Sequence, residues 1–221
     1  MEGKKLDKTE LESALKRKEY QRYQPVTPDE QLGFVHNNVD CIGCRACEIA
    51  CKDKNGLPPG PRMRRVLYIE GGQYPDLFGY KVNMSCNHCA EPACLPTCPT
   101  GAIWKRKDNG VVDIDSTLCI GCRKCEAACP YGAPQYNIET NTVVKCNMCI
   151  DELEAGRKPY CVAACMMRVL DIGNIEDIWT QKLDTKAYAE NEKVSKQVKN
   201  MANPELTKPS IGFVVHNKGK V

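Results

Sequence analysis

The chain has 221 residues, with 31 basic and 28 acidic side chains and 16 cysteines. A net charge of +3 is too mild to imply a nucleic-acid partner, and no apolar run approaches the roughly 20 residues of a membrane span. Three phenylalanines and two tryptophans make a thin apolar core, so cohesion must come from elsewhere; the cysteines offer disulfides, zinc or iron–sulfur clusters.

Residues 1–32 read as a charged N-terminal extension. Leu6, Leu11 and Leu15 give a narrow apolar stripe, which predicts a surface helix ended by Pro25 and Pro28. A solvated tail and a partner-contacting arm both fit this pattern. Met1 to Tyr23 holds no apolar stretch, so no secretory leader is expected. The expectation is folding in a reducing cytoplasm, where disulfides are rare.

Four cysteine groups follow: Cys41, Cys44, Cys47, Cys51; Cys86, Cys89, Cys94, Cys98; Cys119, Cys122, Cys125, Cys129; and Cys146, Cys149, Cys161, Cys165. They contain an internal repeat. Cys41-Ile-Gly-Cys-Arg-Ala-Cys47 matches Cys119-Ile-Gly-Cys-Arg-Lys-Cys125, and Gly33-Phe-Val and Gly110-Val-Val lead into the two. Between Ile103-Trp104 and Val111-Val112 lies Asn109-Gly110, a hairpin signal.

This pattern predicts an α+β fold of two interleaved bacterial-type two-[4Fe–4S] ferredoxin modules. Groups two and three form an inner module at 80–140. Groups one and four form an outer module at 33–79 and 141–175, including an insertion with an extended run at Arg65–Ile69. Arg62, Arg64 and Arg65 are read as a solvated face rather than a binding patch. Residues 176–221 are expected to hold a C-terminal helix and an extended partner-binding tail. Lys208–Val215 has too little neighbouring sequence to bury itself; it either adds a strand or lies on a partner.

Each iron of a cubane takes one soft anionic ligand, and thiolate suits it. In the two-cluster ferredoxin run, three cysteines spaced by two residues hold one cluster and a fourth, three residues on, serves the other. Group three fits this run with Pro130 in place. Group one has Lys52 there, group two widens one gap, and group four widens it further and has Met166 after Cys165. A zinc site takes four ligands from two pairs and has no use for third and fourth cysteines in every group. Counting sixteen thiolates and four cores of about +2, the charge falls from +3 to about −5 on cluster binding. His88, between Cys86 and Cys89, either tunes a cluster or is simply packed. Tyr131 and Tyr136 are expected to shield a cluster, while His36 and His216 carry no signal. With no catalytic constellation, the protein is read as an electron carrier and not as an enzyme.

The four groups, with Cys86-Asn-His-Cys-Ala-Glu-Pro-Ala-Cys94 and Cys119-Ile-Gly-Cys-Arg-Lys-Cys-Glu-Ala-Ala-Cys-Pro-Tyr-Gly-Ala-Pro-Gln-Tyr-Asn137, resemble the iron–sulfur subunit of the dimethyl sulfoxide reductase family. The resemblance covers about 33–175 and the Thr207-Lys-Pro-Ser-Ile tail; residues 1–32 and Met166 depart from it. It implies four [4Fe–4S] clusters with crossed ligands. Cys41, Cys44, Cys47 and Cys165 hold the cluster nearest the catalytic subunit. Cys51, Cys146, Cys149 and Cys161 hold the second; Cys86, Cys89, Cys94 and Cys129 the third; Cys98, Cys119, Cys122 and Cys125 the outermost. It also implies a molybdenum or tungsten bis-pterin catalytic partner and a membrane anchor that handles quinol. Membrane association is then through partners, with export only alongside a leader-bearing catalytic subunit. The competing readings are a free-standing soluble polyferredoxin and a zinc-organised interaction module.

Overall fold

A computed structural model of the chain describes residues 31–189 and 192–215. The extension's apolar stripe and prolines, and His216, lie outside the described residues. Gln31 is buried, and its Nε2 donates to the carbonyls of His88 and Gly110, both at 3.2 Å.

The first strand, β1 (Leu32–Asn37), is the centre of the main sheet. It pairs antiparallel with β8 (Leu170–Asn174) and parallel with β10 (Ile211–Val214), which in turn pairs with the short β9 (Val194–Ser195). Every residue of β10 is buried, and so are Phe34, Val35 and His36 of β1. Strands covered on both faces read as continuous apolar runs, which suits Ile-Gly-Phe-Val. The expectation that Lys208–Val215 cannot bury itself is therefore corrected. The missing neighbours come from far away in sequence, with Phe34 opposite Ile211 and His36 opposite Phe213. Trp179 closes the edge by donating from Nε1 to the Ile211 carbonyl at 3.1 Å. The C-terminal helix reduces to α5 (Ile175–Trp179) and a 3₁₀ turn at Pro204–Leu206, because the intervening polar residues lack a sustained apolar stripe.

Two-stranded hairpins surround this sheet. β2 (Arg65–Gly71) pairs with β3 (Phe78–Met84), in line with the extended run read from the sequence. β4 (Ile103–Lys105) pairs with β5 (Val112–Ile114) across the Asn-Gly signal. The pairing continues one step, with the Arg106 N–H donating to the Val111 carbonyl at 2.8 Å, so the loop is longer than a two-residue turn. β6 (Gln135–Asn137) pairs with β7 (Thr142–Val144).

The helices are short and sit at the cysteines: α1 (Ala46–Lys54), α2 (Lys124–Ala128), α3 (Ile150–Glu154) and α4 (Tyr160–Ala163). α1 packs against α4, which brings cysteine groups one and four side by side. The largest buried cluster mixes Phe34, Val82, Met148 and Phe213 with Cys47, Cys86, Cys146, Cys161 and Cys165. The core therefore closes around thiols.

Candidate metal centres

The sequence repeat is a repeat of backbone conformation. Gly43 and Arg45 have φ of 71° and 62°; Gly121 and Arg123 have 68° and 60°. Each pair of left-handed residues coils the backbone tightly between cysteines and then delivers it into α1 or α2. Glycine is required at the first of each pair: a Cβ on Gly43 would lie 2.4 Å from Tyr68 Oη, and one on Gly121 2.3 Å from the Asn141 carbonyl. Group four uses a related turn, with Met148 at 60° and Cys149 at 49°.

All sixteen cysteines are free thiols. Three cavities, with empty volumes of about 340, 350 and 310 Å³ partly open to solvent, each have four of them in the wall. The first is faced by Cys41, Cys44, Cys47 and Cys165. The second is faced by Cys86, Cys89, Cys94 and Cys129, and the third by Cys98, Cys119, Cys122 and Cys125. The remaining four, Cys51, Cys146, Cys149 and Cys161, are buried together. Burial pushes the Cys51 thiol's pKa up; Cys146, Cys161 and Cys149 push it further, against the nearby Arg64.

Each set thus draws on two cysteine groups. Within α1, Cys47 and Cys51 lie one turn apart and face different sets. The sets also differ in exposure. Cys44 and Cys122, at equivalent places in the repeat, are exposed, as are Ile42 and Ile120 beside them. Among the other two sets only Cys129 rises above buried, to intermediate exposure.

The walls hold thiols that stay protonated without a metal. Burial raises Cys89 to about 12, and Cys125, Cys149 and Cys161 to about 11. Cys98 runs the other way: burial raises it, but donors at Ile103, Thr100 and Ala102 outweigh that and lower it. The Ala102 N–H reaches Cys98 Sγ at 3.2 Å. A ligand that arrives as thiolate needs compensation of this kind, and a bound metal supplies it most directly. Four thiols in the wall of one cavity suit a cubane with one thiolate per iron, and among the described residues no three such groups close on a single metal ion. A single zinc ion would draw its thiolates to about 3.8 Å from one another, given a Zn–S distance of about 2.3 Å.

Asn83, His36 and Thr207 escape the sequence reading, whereas Tyr131, Tyr136 and His88 are singled out by it. Asn83 on β3 donates from Nδ2 to Cys47 Sγ at 2.9 Å. His36 faces the Cys41 cavity; burial, with Arg64 adding, lowers its pKa to about 4 despite its bond to Asn38, so it is neutral there. Thr207 bonds Tyr131 Oη at 2.7 Å beside Cys89, and both line that cavity. Tyr136 packs against the cluster holding Cys94 and Cys125. His88 is fully buried; its Nδ1 accepts from the Val112 N–H at 3.0 Å, and burial, Lys145 and Lys105 hold its pKa well below the usual value. It is buried and neutral, and its Nε2 is buried without a hydrogen-bond partner.

The arginines need a correction. Arg62 does lie on the surface, paired with Glu48 at 2.8 Å. Arg65 is half-buried and donates to the carbonyls of Tyr131 and Gly132 at 2.9 and 3.0 Å. Arg64 is only 1% exposed. The chain bends at Met63 and Arg64 just before β2 begins at Arg65, and this turns Arg64 inward while Arg62 stays outside.

A fold of short elements closed around four-cysteine walls defines an iron–sulfur protein of ferredoxin type. The family model for a 4Fe–4S dicluster domain matches residues 78–175. A subunit of the anaerobic dimethyl sulfoxide reductase of Escherichia coli is 43% identical over 167 residues, 72% of this chain and 81% of that one. Its counterpart from Haemophilus influenzae is 42% identical over 161 residues, 69% and 78% of the two chains. A subunit of the sulfite dehydrogenase of Allochromatium vinosum is 39% identical over 168 residues, 66% and 70%. The chain belongs to the family of iron–sulfur electron-transfer subunits that includes the one from anaerobic dimethyl sulfoxide reductase. Among the described residues no helix is long and apolar enough to cross a membrane.

Proposed function

We propose that the protein relays electrons through four [4Fe–4S] clusters between a membrane-anchored quinol site, or another donor, and a molybdenum or tungsten bis-pterin catalytic subunit. The ligand sets are Cys41, Cys44, Cys47 and Cys165; Cys51, Cys146, Cys149 and Cys161; Cys86, Cys89, Cys94 and Cys129; and Cys98, Cys119, Cys122 and Cys125. The clusters, when bound, supply one-electron transfer. Every set is a complete set of four thiolates, which leaves no iron for substrate and makes the protein a conductor rather than a catalyst.

The observation that carries this reading is the gradient of exposure across the sets. Two sets hold no exposed cysteine, with only Cys129 rising to intermediate exposure, while the other two meet solvent at equivalent places in the repeat, through the exposed Cys44 and Cys122. Electrons can then enter at one end and leave at the other. Neighbouring sets are in electrostatic contact: Cys161 feels Cys47, and Cys86 feels Cys146. Cys94 shares an apolar cluster with Cys125. This order supports two interleaved modules, 33–79 with 141–175 outside and 80–140 within. The relatives belong to a sulfoxide reductase and a sulfite dehydrogenase, whose names describe reactions of opposite sense. The partner therefore sets substrate and direction.

The test is anaerobic purification from cells making the protein with its genomic neighbours. The expected product is a complex with about sixteen irons and sixteen labile sulfides per copy of this chain, together with a pterin-bound metal. A fully occupied chain with about eight irons would reject the four-cluster reading. A stable, cluster-loaded monomer would favour the free-standing polyferredoxin.

A further inference from the structure

Arg64 is the largest fully buried side chain among the described residues. Its guanidinium carbon lies 4.2 Å from the centroid of the Phe34 ring. Nη1 donates to Asn83 Oδ1 at 2.7 Å, while Nε and Nη2 are buried without a hydrogen-bond partner. Arginine stays protonated in proteins. A buried cation with two idle donors persists only where anions compensate it. The charges around it are cysteines, drawn from two different sets.

The geometry brings Arg64 to both sets: Asn83, which holds its Nη1, also donates to Cys47 Sγ, and Phe34, under its guanidinium, lies in one buried cluster with Cys47 and with Cys146 and Cys161. The electrostatics agree. Arg64 pulls down the pKa of Cys47, which faces the first cavity. It does the same to Cys51 and Cys161, which belong to the buried set. In return, burial depresses the guanidinium's own pKa, but Cys161, Cys146, Cys47 and Cys51 outweigh burial and raise it. Arg64 therefore stands in the wall between the two sets. Asn83 fixes its outer nitrogen and the Phe34 ring supports its face.

We propose that Arg64 is a positioning residue shared by two clusters: its fixed charge and its two free N–H donors serve the sulfur atoms of both the Cys47 and the Cys51 sites, and raise both reduction potentials together. Each added electron makes a cluster more negative, so a cation in the shared wall stabilises the reduced form on either side. Arginine suits the place because its planar fork donates in several directions at once. The inference rests on the ligand sets proposed above.

The experiment is a potentiometric titration of the intact complex followed by electron paramagnetic resonance, with iron analysis of each sample. Arg64→Gln and Arg64→Met are compared with Arg64→Lys. In the two neutral variants, reduction of the first and second clusters should become about tenfold less favourable, a negative shift of about 59 mV each. The third and fourth should stay in place, and Arg64→Lys should recover most of both shifts. Unchanged potentials in a fully loaded neutral variant, or a shift confined to one cluster, would overturn the proposal. If the neutral variants lose iron while Arg64→Lys keeps it, the charge is needed to hold the clusters and the proposal stands. If all three lose it equally, Arg64 only fills space and the proposal fails. A wild-type complex with about half the expected iron would reject the ligand sets themselves, a separate failure.

Discussion

Asn83 places an amide N–H 2.9 Å from Cys47 Sγ, in the wall of the first cavity. A hydrogen bond to a cluster's thiolate weakens its electron donation and raises the cluster's potential. Asn83→Leu should therefore lower the potential of the Cys47 site. At about 1 kcal/mol for a net hydrogen bond, the shift is roughly 40 mV for one electron, readable in a redox titration of the complex. A smaller shift should follow at the Cys51 site, because Asn83 also holds Arg64. An unmoved Cys47 site in a fully loaded variant would show that the contact does not tune it. Residues of this kind were illegible in the sequence for a physical reason. Cysteine spacing is local, since the backbone must coil within a few residues to aim three thiolates at one cluster. A donor to one of those thiolates can come from a strand 36 positions away, as Asn83 does for Cys47. Arg64, Asn83 and His36 carry no spacing that could single them out.

At the scale of elements, the weight falls on β10. It supplies the parallel partner of β1, and the loop just before it supplies Thr207 and Ser210 to the inner sites. Ser210 Oγ donates to the His88 carbonyl at 3.1 Å. Phe213 is fully buried, so Phe213→Ala should cost about 3–5 kcal/mol. Faster loss of visible absorption on warming the complex is the measurement. Wild-type thermal loss would mean that the strand is peripheral. The extended nature of Ile211–Val214 was legible, since β-branched and aromatic residues favour a strand. Its location was not. A parallel pair between residue 34 and residue 211 closes a loop spanning nearly the whole described chain, and local patterning cannot announce such a partner. The β4–β5 hairpin shows the opposite case, where adjacent strands and a turn signal made both the strands and their pairing readable.

For the whole molecule, charge and crossing are the governing features. With clusters bound as proposed, four thiolate sets in one small protein would repel one another, and the interior holds buried cations in the walls. Arg64 stands between the first two sets. Lys145 is buried beside Cys146 on one side and Cys86 and Cys94 on the other; burial depresses its pKa, and those thiols with Asp113 outweigh that and raise it. The crossing then ties distant parts of the sequence into one unit. Cys47 and Cys51 are near neighbours in sequence, yet Cys47 shares a cavity with Cys165, and Cys51 packs with Cys146, Cys149 and Cys161. The cause is α1: residues four apart on a helix stack on one face, one turn above the other, so one reaches forward to the turn that precedes the helix and the other reaches across to α4. Serine at any of these positions removes one thiolate and leaves an iron corner labile, which favours a three-iron product. Cys51→Ser and Cys146→Ser should thus alter one and the same paramagnetic signal during graded reduction, and Cys47→Ser and Cys165→Ser a different one. The measurement is electron paramagnetic resonance of the four single variants in the intact complex. If Cys51→Ser removes the signal that Cys47→Ser removes, sequence neighbours share a cluster and the interleaved arrangement is wrong. If the pairs separate as expected, the two segments of the outer module, 33–79 and 141–175, cannot hold their clusters apart from each other, because each of those clusters needs ligands from both.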